Sequence, residues 1–265
     1  MARKIGRAEH SAERPSPSHR RILIVPMKVF VIIPAAGLGT RMAPPSAAAP
    51  TKQFKELGGV PILVHTLRVF AATPTVHKIV VALRKDEIAG FRAQLEKQYP
   101  EILKKPLETV EGGEHRQNSV ANALAQLNAS ADDIVLVHDA VRPFITPEII
   151  GHVIQAAEKH HAAIAGWPAV DTVKQVERTA DGAIIKATIP RASIVMAQTP
   201  QGFRYDILKK AFDDAAVDGF MGTDEASLIE RSGIPVAVVM GSPRNIKITT
   251  PADMELAEFY LESSR

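Results

Sequence analysis

From Lys28 onward, short apolar runs alternate with stretches in which apolar residues recur every three or four positions. The run VFVIIPAA (29–36) predicts a buried strand, and Leu63, Leu67 and Phe70 mark one face of a helix over 61–73. KIVVAL (78–83) is strand-like, and 86–98 has the helical period. ETVEGG (108–113) predicts a short strand entering a turn, followed by a helix over 118–127. DIVLVHDA (133–140) predicts another buried strand, 148–160 another helix, and AAIAGWPAV (162–170) a further apolar run. These runs are apolar almost without interruption, as strands are when helices cover both faces of their sheet. The alternation predicts an α/β fold of Rossmann-like, three-layer type with a mostly parallel sheet.

The pattern changes at Asp171. DTVKQVER (171–178) and AIIKATIP (183–190), around Asp181-Gly182, read as a β-hairpin of mixed polarity. We expect an arm over about 168–191 that projects from the sheet and suits a partner subunit. Helices over 205–215 and 224–232 follow, then strands VAVVM (236–240) and IKI (246–248). A last helix starts at Pro251, with Thr250 as its N-cap.

Residues 1–26 show neither period and carry Pro15, Pro17 and several Ser. They predict a disordered tail, with Met27 as an alternative start and 27–265 as a single domain. A short organelle-targeting peptide is the competing expectation, weakened by Glu9 and Glu13. Residues 22–36 come closest to a membrane span, but Pro26 and Lys28 interrupt them, and a signal peptide cleaved after that run would remove part of the first strand. A cytoplasmic protein without a membrane partner is the expectation.

The charge balance could suggest a nucleic-acid binder, since the chain has a formal charge of +3. Of 32 Lys/Arg and 29 Asp/Glu, however, six and two lie in residues 1–26, leaving 26 and 27 for the remainder. The body of the chain is not basic, so no nucleic-acid partner is expected. The absence of cysteine excludes disulfides, thiolate metal sites and a Cys nucleophile.

The first strand ends in Pro34-Ala35-Ala36-Gly37-Leu38-Gly39-Thr40-Arg41-Met42. Small residues and glycines there let the backbone approach a ligand and point N–H groups at phosphates. The segment lacks the third glycine of the dinucleotide fingerprint and the G-K-[ST] of a P-loop. Arg41 and Lys52 supply a planar fork and a point charge that can stabilise a transferring phosphoryl or nucleotidyl group. Asp139 closes a buried strand, where a carboxylate needs a partner, and Arg142 three residues on could simply pair with it. Ser119 reads as a helix N-cap, a role compatible with a second one. His138 reads as structural, His160-His161 as partners of a helix C-terminus, and Trp167 as core or arm packing.

The glycine loop with Pro50-Thr51-Lys52-Gln53 resembles the 2-C-methyl-D-erythritol 4-phosphate cytidylyltransferases. The resemblance continues through Gly112 to Val120, Val137-His138-Asp139-Ala140-Val141-Arg142-Pro143 and Gln198-Thr199-Pro200-Gln201. It extends to Thr223-Asp224-Glu225-Ala226 and Asn245-Ile246-Lys247-Ile248-Thr249. The match implies a nucleotidyltransferase fold and the transfer of CMP from CTP to a methylerythritol phosphate, with pyrophosphate released. It implies that Arg41 and Lys52 stabilise the α-phosphate in the transition state. Ala35, Ala36, Gly37 and Gly39 would wrap the nucleotide, and Gly113 and Ser119 would read cytosine. Asp139, as an acid at a strand end, can contact ribose, substrate hydroxyls or a metal shell. Arg142, Thr223 and Lys247 would contact the acceptor, and Arg191 would orient its phosphate from a neighbouring subunit in a homodimer. Mg²⁺ would be held mainly by the CTP phosphates, with no confident protein ligand. One departure stands out: Lys52 lies eleven residues after Arg41, a longer link than is common in the family, with APPSAAAP (43–50) expected to loop out. A ribitol 5-phosphate cytidylyltransferase and a non-catalytic nucleotide-binding module are the alternatives.

Overall fold

A computed structural model of the chain describes residues 26–37 and 51–263. The expectations for residues 1–25, the insert 43–50, Gly39 and Arg41 lie outside the described residues.

The first half alternates strand and helix. β1 (Val29–Pro34) leads to a short ribbon of β2 (Glu56–Leu57) and β3 (Val60–Pro61), then α1 (Ile62–Ala72), β4 (Val76–Leu83), α2 (Lys85–Gln98) and β5 (Leu107–Glu111). α3 (Arg116–Ala125), β6 (Ile134–Val137), α4 (Pro147–His160) and β7 (Ala162–Pro168) complete it. Next come the arm strands β8 (Val173–Thr179) and β9 (Gly182–Ile189), then β10 (Val195–Arg204), α5 (Tyr205–Asp218), α6 (Glu225–Arg231), β11 (Ala237–Met240) and α7 (Pro251–Glu262).

The central sheet has seven strands in the order β11-β7-β10-β6-β1-β4-β5. β10 runs antiparallel to both of its neighbours, and the other pairings are parallel. Alternation along the strands builds the three layers. Val29, Val31 and Ile33 of β1, with Ile134 and Leu136 of β6, pack with Leu67 of α1, Leu95 of α2 and Val153 of α4. Phe30 and Ile32, with Val135 and Val137, pack on the other side with Val120 of α3, Leu208 of α5 and Ile229 of α6. A period of two in the strands thus meets a period near 3.6 in the helices.

Most predicted elements occur within a few residues of their expected bounds. The central strand β10 is an addition to them, although its Gln198 to Gln201 segment stands out in the sequence as a motif. Pro200 in its middle removes a ladder donor, and the register shifts between Ala197 and Gln201. The expected strand at 246–248 is not one: Ile248 N–H donates to Val141 O at 2.9 Å, but no ladder follows. Burial of Ile248 against Leu57, Ile62, Val141 and Ala257 accounts for its apolar character. The hairpin turns one residue earlier than expected, at Ala180-Asp181, with Gly182 at φ 142°.

Thr250 does cap the last helix. Its hydroxyl accepts from Asp253 N–H at 3.2 Å, while Asp253 Oδ2 accepts from Thr250 N–H at 2.8 Å. His161 takes the left-handed conformation that ends α4, at φ 71°. Trp167 lies in β7, opposite Met196 of β10.

Candidate active site

The site lies beyond the carboxyl ends of β1 and β6, where ligands bind in open α/β sheets. Two adjoining cavities share Arg116, Asp139 and Lys247 as a common wall.

The first cavity, about 220 Å³, is lined by Ala35, Ala36, Gly37, Lys52, Gly113 and Ser119. Its backbone is fixed from several sides. Ala35 N–H donates to Ala82 O at 2.7 Å, and the buried Gln53 side chain donates to Ala35 O at 2.5 Å. Lys52 opens the short 3₁₀ turn Lys52–Phe54, which brings it to the same cavity as Gly37. Across the cavity, Gly112 N–H donates to Leu83 O at 2.7 Å. Ser119 Oγ accepts from Gly113 N–H at 3.1 Å. Ser119 is not the helix N-cap: α3 begins three residues earlier, with His115 as its cap. Asn118 Oδ1 accepts from His115 N–H at 3.2 Å, so the helix start is tied before Ser119 is reached. That frees the Ser119 hydroxyl to bind the glycine turn.

The two glycines here are required by space. A Cβ on Gly112 would collide with Ala36 and lie 2.9 Å from Ser119 Oγ, and one on Gly113 would collide with Asn118. The strand-end loop and the α3 loop approach each other where only glycine fits.

The second cavity, about 230 Å³, is lined by Arg142, Thr199, Gln201, Thr223 and Asp224 besides the shared wall. The loop carrying Thr223 is held on two sides. Gln117 Oε1 accepts from Gly222 N–H at 2.8 Å, and Gln201 Nε2 donates to Asp224 Oδ2 at 2.7 Å.

Asp139 stands at the junction. Its Oδ1 pairs with Arg116 Nε at 3.2 Å, and its Oδ2 pairs with Lys247 Nζ at 2.9 Å and Arg142 Nε at 3.3 Å. Burial alone would raise the pKa of this carboxyl. Arg116, Lys247 and Arg142 more than offset that and hold it well below the usual carboxylate range. The simple pairing of Arg142 with Asp139 is therefore present, and Arg142 Nη1 also donates to Asn245 O at 2.7 Å. Arg116 continues to the buried Glu225, with Nη1 2.6 Å from Oε1. Burial raises the Glu225 pKa, against the pull of Arg116. Burial works against the charge of Arg116 too, but Glu225 and Asp139 outweigh it and raise the Arg116 pKa.

His138 serves from behind. It is fully buried and packs edge-on against Phe70, with ring centroids 4.9 Å apart. Its Nε2 donates to Arg142 O at 3.1 Å, and its Nδ1 accepts from the Thr199 hydroxyl at 3.0 Å. That hydroxyl in turn accepts from Asp139 N–H at 3.0 Å. This assigns the Nε2–H tautomer and a neutral ring, and burial lowers the His138 pKa to about 4. The structural role read from the sequence fits this geometry.

The structure thus brings Ala35, Ala36, Gly37, Lys52, Gly113, Ser119, Asp139, Arg142, Thr223 and Lys247 together around two adjoining cavities. Arg191 is not among the linings of these cavities. It lies exposed at the base of the arm, donating to Val170 O at 2.6 Å. Arg116 and Glu225 fall inside the sequence motifs but receive no role from the sequence alone. A signal for them exists, since Arg116 lies between the glycine pair and Ser119, and Glu225 two residues after Thr223.

A curated relative from Acidobacterium capsulatum, a 2-C-methyl-D-erythritol 4-phosphate cytidylyltransferase, is 60% identical over 236 residues, covering 89% of this chain and 98% of its own. A relative of the same name from Solibacter usitatus is 51% identical over 238 residues, covering 89% of this chain and 96% of its own. The crystal structure of the cytidylyltransferase of that name from Thermus thermophilus superposes with a TM-score of 0.69 at 32% identity, covering 89% of this chain and all of its own. The profile of the 2-C-methyl-D-erythritol 4-phosphate cytidylyltransferase family matches residues 29–263, and the chain belongs to that family.

Proposed function

We propose that this protein transfers CMP from CTP to 2-C-methyl-D-erythritol 4-phosphate, giving 4-diphosphocytidyl-2-C-methyl-D-erythritol and pyrophosphate. The observation that carries the reading is the shared wall: the glycine-lined cavity and the Thr223 cavity meet at Asp139, Lys247 and Arg116. An acceptor phosphate in the second cavity can therefore face a nucleotide α-phosphate in the first.

The reaction needs no general base, because a phosphate monoester is already anionic at neutral pH. An oxygen of the acceptor phosphate forms a bond to the α-phosphorus of CTP. The bond from that phosphorus to the β-bridging oxygen breaks, and its electron pair leaves with pyrophosphate. The protein contributes position and positive charge. Ala35, Ala36 and Gly37 approach the phosphates with backbone. Gly113 and Ser119 offer backbone and hydroxyl groups to the base. Lys52 stabilises charge building on the α-phosphate, a role the family resemblance extends to Arg41. Lys247 and Arg142, anchored on Asp139, face the acceptor with Thr223.

Among the described residues there is no cluster of three His, Cys, Asp or Glu side chains that could hold a metal. Asp139 is the carboxylate shared by both cavities, and it already faces three cations. This donor set fits a Mg²⁺ carried mainly by the triphosphate, which would neutralise the leaving pyrophosphate when bound.

A homodimer completes the reading. Among the described residues the arm strands pair only with each other, and Val176 of β8 and Ile184 and Ile185 of β9 are exposed. A lone two-stranded ribbon is marginal in water, so a covering partner is expected, and Arg191 would then reach the partner's acceptor cavity. No helix among the described residues is long and apolar enough to cross a membrane. The cytoplasm, where CTP is made, is the compartment this function implies.

The test is product identity. With CTP labelled at the α-phosphorus, Mg²⁺ and methylerythritol 4-phosphate, label should appear in a cytidylyl diphosphate diester and none in pyrophosphate. Label recovered only as free CMP would reduce the protein to a CTP hydrolase and overturn the reading.

A further inference from the structure

The Thr223-Asp224-Glu225-Ala226 motif is only partly used by the chemistry above. Thr223 faces the acceptor cavity and Asp224 caps α6, its side chain accepting from Ser227 N–H at 3.0 Å. Glu225 does neither. It is 1% exposed, and among the described residues its Oε2 has no hydrogen-bond partner. A carboxylate this buried is costly, and among the described residues its cation is Arg116, 2.6 Å from Oε1.

Arg116 opens α3, directly after the segment that forms the nucleotide cavity, and its guanidinium bridges Glu225 and Asp139. The side-chain amide of the neighbouring Gln117 binds the backbone of the same loop, accepting from Gly222 N–H and donating to Phe220 O at 3.0 Å. The first turn of α3 therefore grips the loop at three points, and Glu225 is the only one that carries charge. Arg116 alone could rotate fully onto Asp139 as a bidentate pair. With Glu225 in place, the guanidinium is shared between two carboxylates and held across the boundary of the two cavities.

We infer that Glu225 is a positioning residue that acts through Arg116, fixing the Thr223 loop and the Asp139 cation cluster relative to the nucleotide segment. It touches no substrate itself. Its removal should disturb acceptor placement and turnover while leaving the glycine-lined nucleotide cavity intact. The inference rests on the proposed function for the identity of the two cavities.

The experiment compares wild type, Glu225→Gln, Arg116→Lys and the double variant, each checked for folding by thermal melting. Glu225→Gln keeps shape and removes charge. Arg116→Lys keeps charge and removes the fork that spans both carboxylates. Either single variant should raise the acceptor KM about tenfold and lower kcat at least tenfold, and Glu225→Gln, whose side chain lines neither cavity, should keep CTP affinity by direct titration within about threefold of wild type. In the Arg116→Lys background, adding Glu225→Gln should change kcat/KM less than about twofold, because the two act as one unit. If Glu225→Gln does not fold, Arg116→Lys must still lose more in acceptor KM than in CTP affinity. Singles that match wild type, equal loss of CTP affinity, or fully additive losses would each overturn the inference. Wild type that forms no product with methylerythritol 4-phosphate would instead overturn the proposed function, so the two failures are distinct.

Discussion

At the residue scale, the site depends on charges held in fixed relation by neutral groups behind them. His138 is the clearest case. Buried against Phe70, it stays neutral, and its two ring nitrogens tie Thr199 to Arg142 on either side of Asp139. Its folded pKa of about 4 lies below the ordinary 6.5, so the unfolded chain binds the extra proton first. Stability from this group is therefore present above pH 6.5 and lost as pH falls toward 4. For a fully buried ring the loss amounts to at most about 3 kcal/mol. Denaturant unfolding of wild type should show falling stability across that window, and His138→Gln should flatten the slope there. An unchanged slope in the variant would remove His138 from this role. That Lys52, Asp139, Arg142 and Lys247 share one site was legible through the motifs that carry the family resemblance, and the fold brings all four to the two cavities. That Arg116 and Glu225 join them was not, because their pairing spans more than a hundred residues and only the fold brings them together.

At the scale of elements, the two half-sites are set by how closely loops approach. Gly112 lets the α3 loop reach Ala36 at the end of β1, and an added methyl there meets Ala36 and Ser119 at once. Gly112→Ala should weaken CTP binding about tenfold and cost about 1–3 kcal/mol of stability, the usual range for overpacking. Titration with CTP and chemical denaturation read the two effects. Wild-type affinity in the variant would show that the contact can relax. The helices and parallel strands were readable from their periods, because each buries a face or both faces. β10 was not, because Pro200 and a register shift break its pattern although it lies centrally in the sheet. The false strand at 246–248 has the opposite cause: its apolar residues serve a small core under α7, where burial does not require a ladder.

At the scale of the molecule, the arm and the site belong to one design only if two copies meet. The proposed homodimer would account for both the exposed apolar residues of the arm and the place of Arg191 outside the linings of its own cavities. Mixing Arg191→Ala with Lys52→Ala, each nearly inactive alone, should restore up to about a quarter of wild-type activity. Random pairing makes half the dimers mixed, and each mixed dimer has one intact site. No recovery after verified subunit exchange would confine Arg191 to its own chain. The hairpin was visible in the sequence through its mixed polarity and its turn, whereas its role as an arm depends on contacts that a single chain does not contain. The central claim is the reaction itself, and steady-state pyrophosphate release tests it most directly. CTP and Mg²⁺ are supplied with either methylerythritol 4-phosphate or ribitol 5-phosphate. Fast release with the first acceptor and little with the second is the predicted result. Release with ribitol 5-phosphate alone, or with neither acceptor, would contradict it.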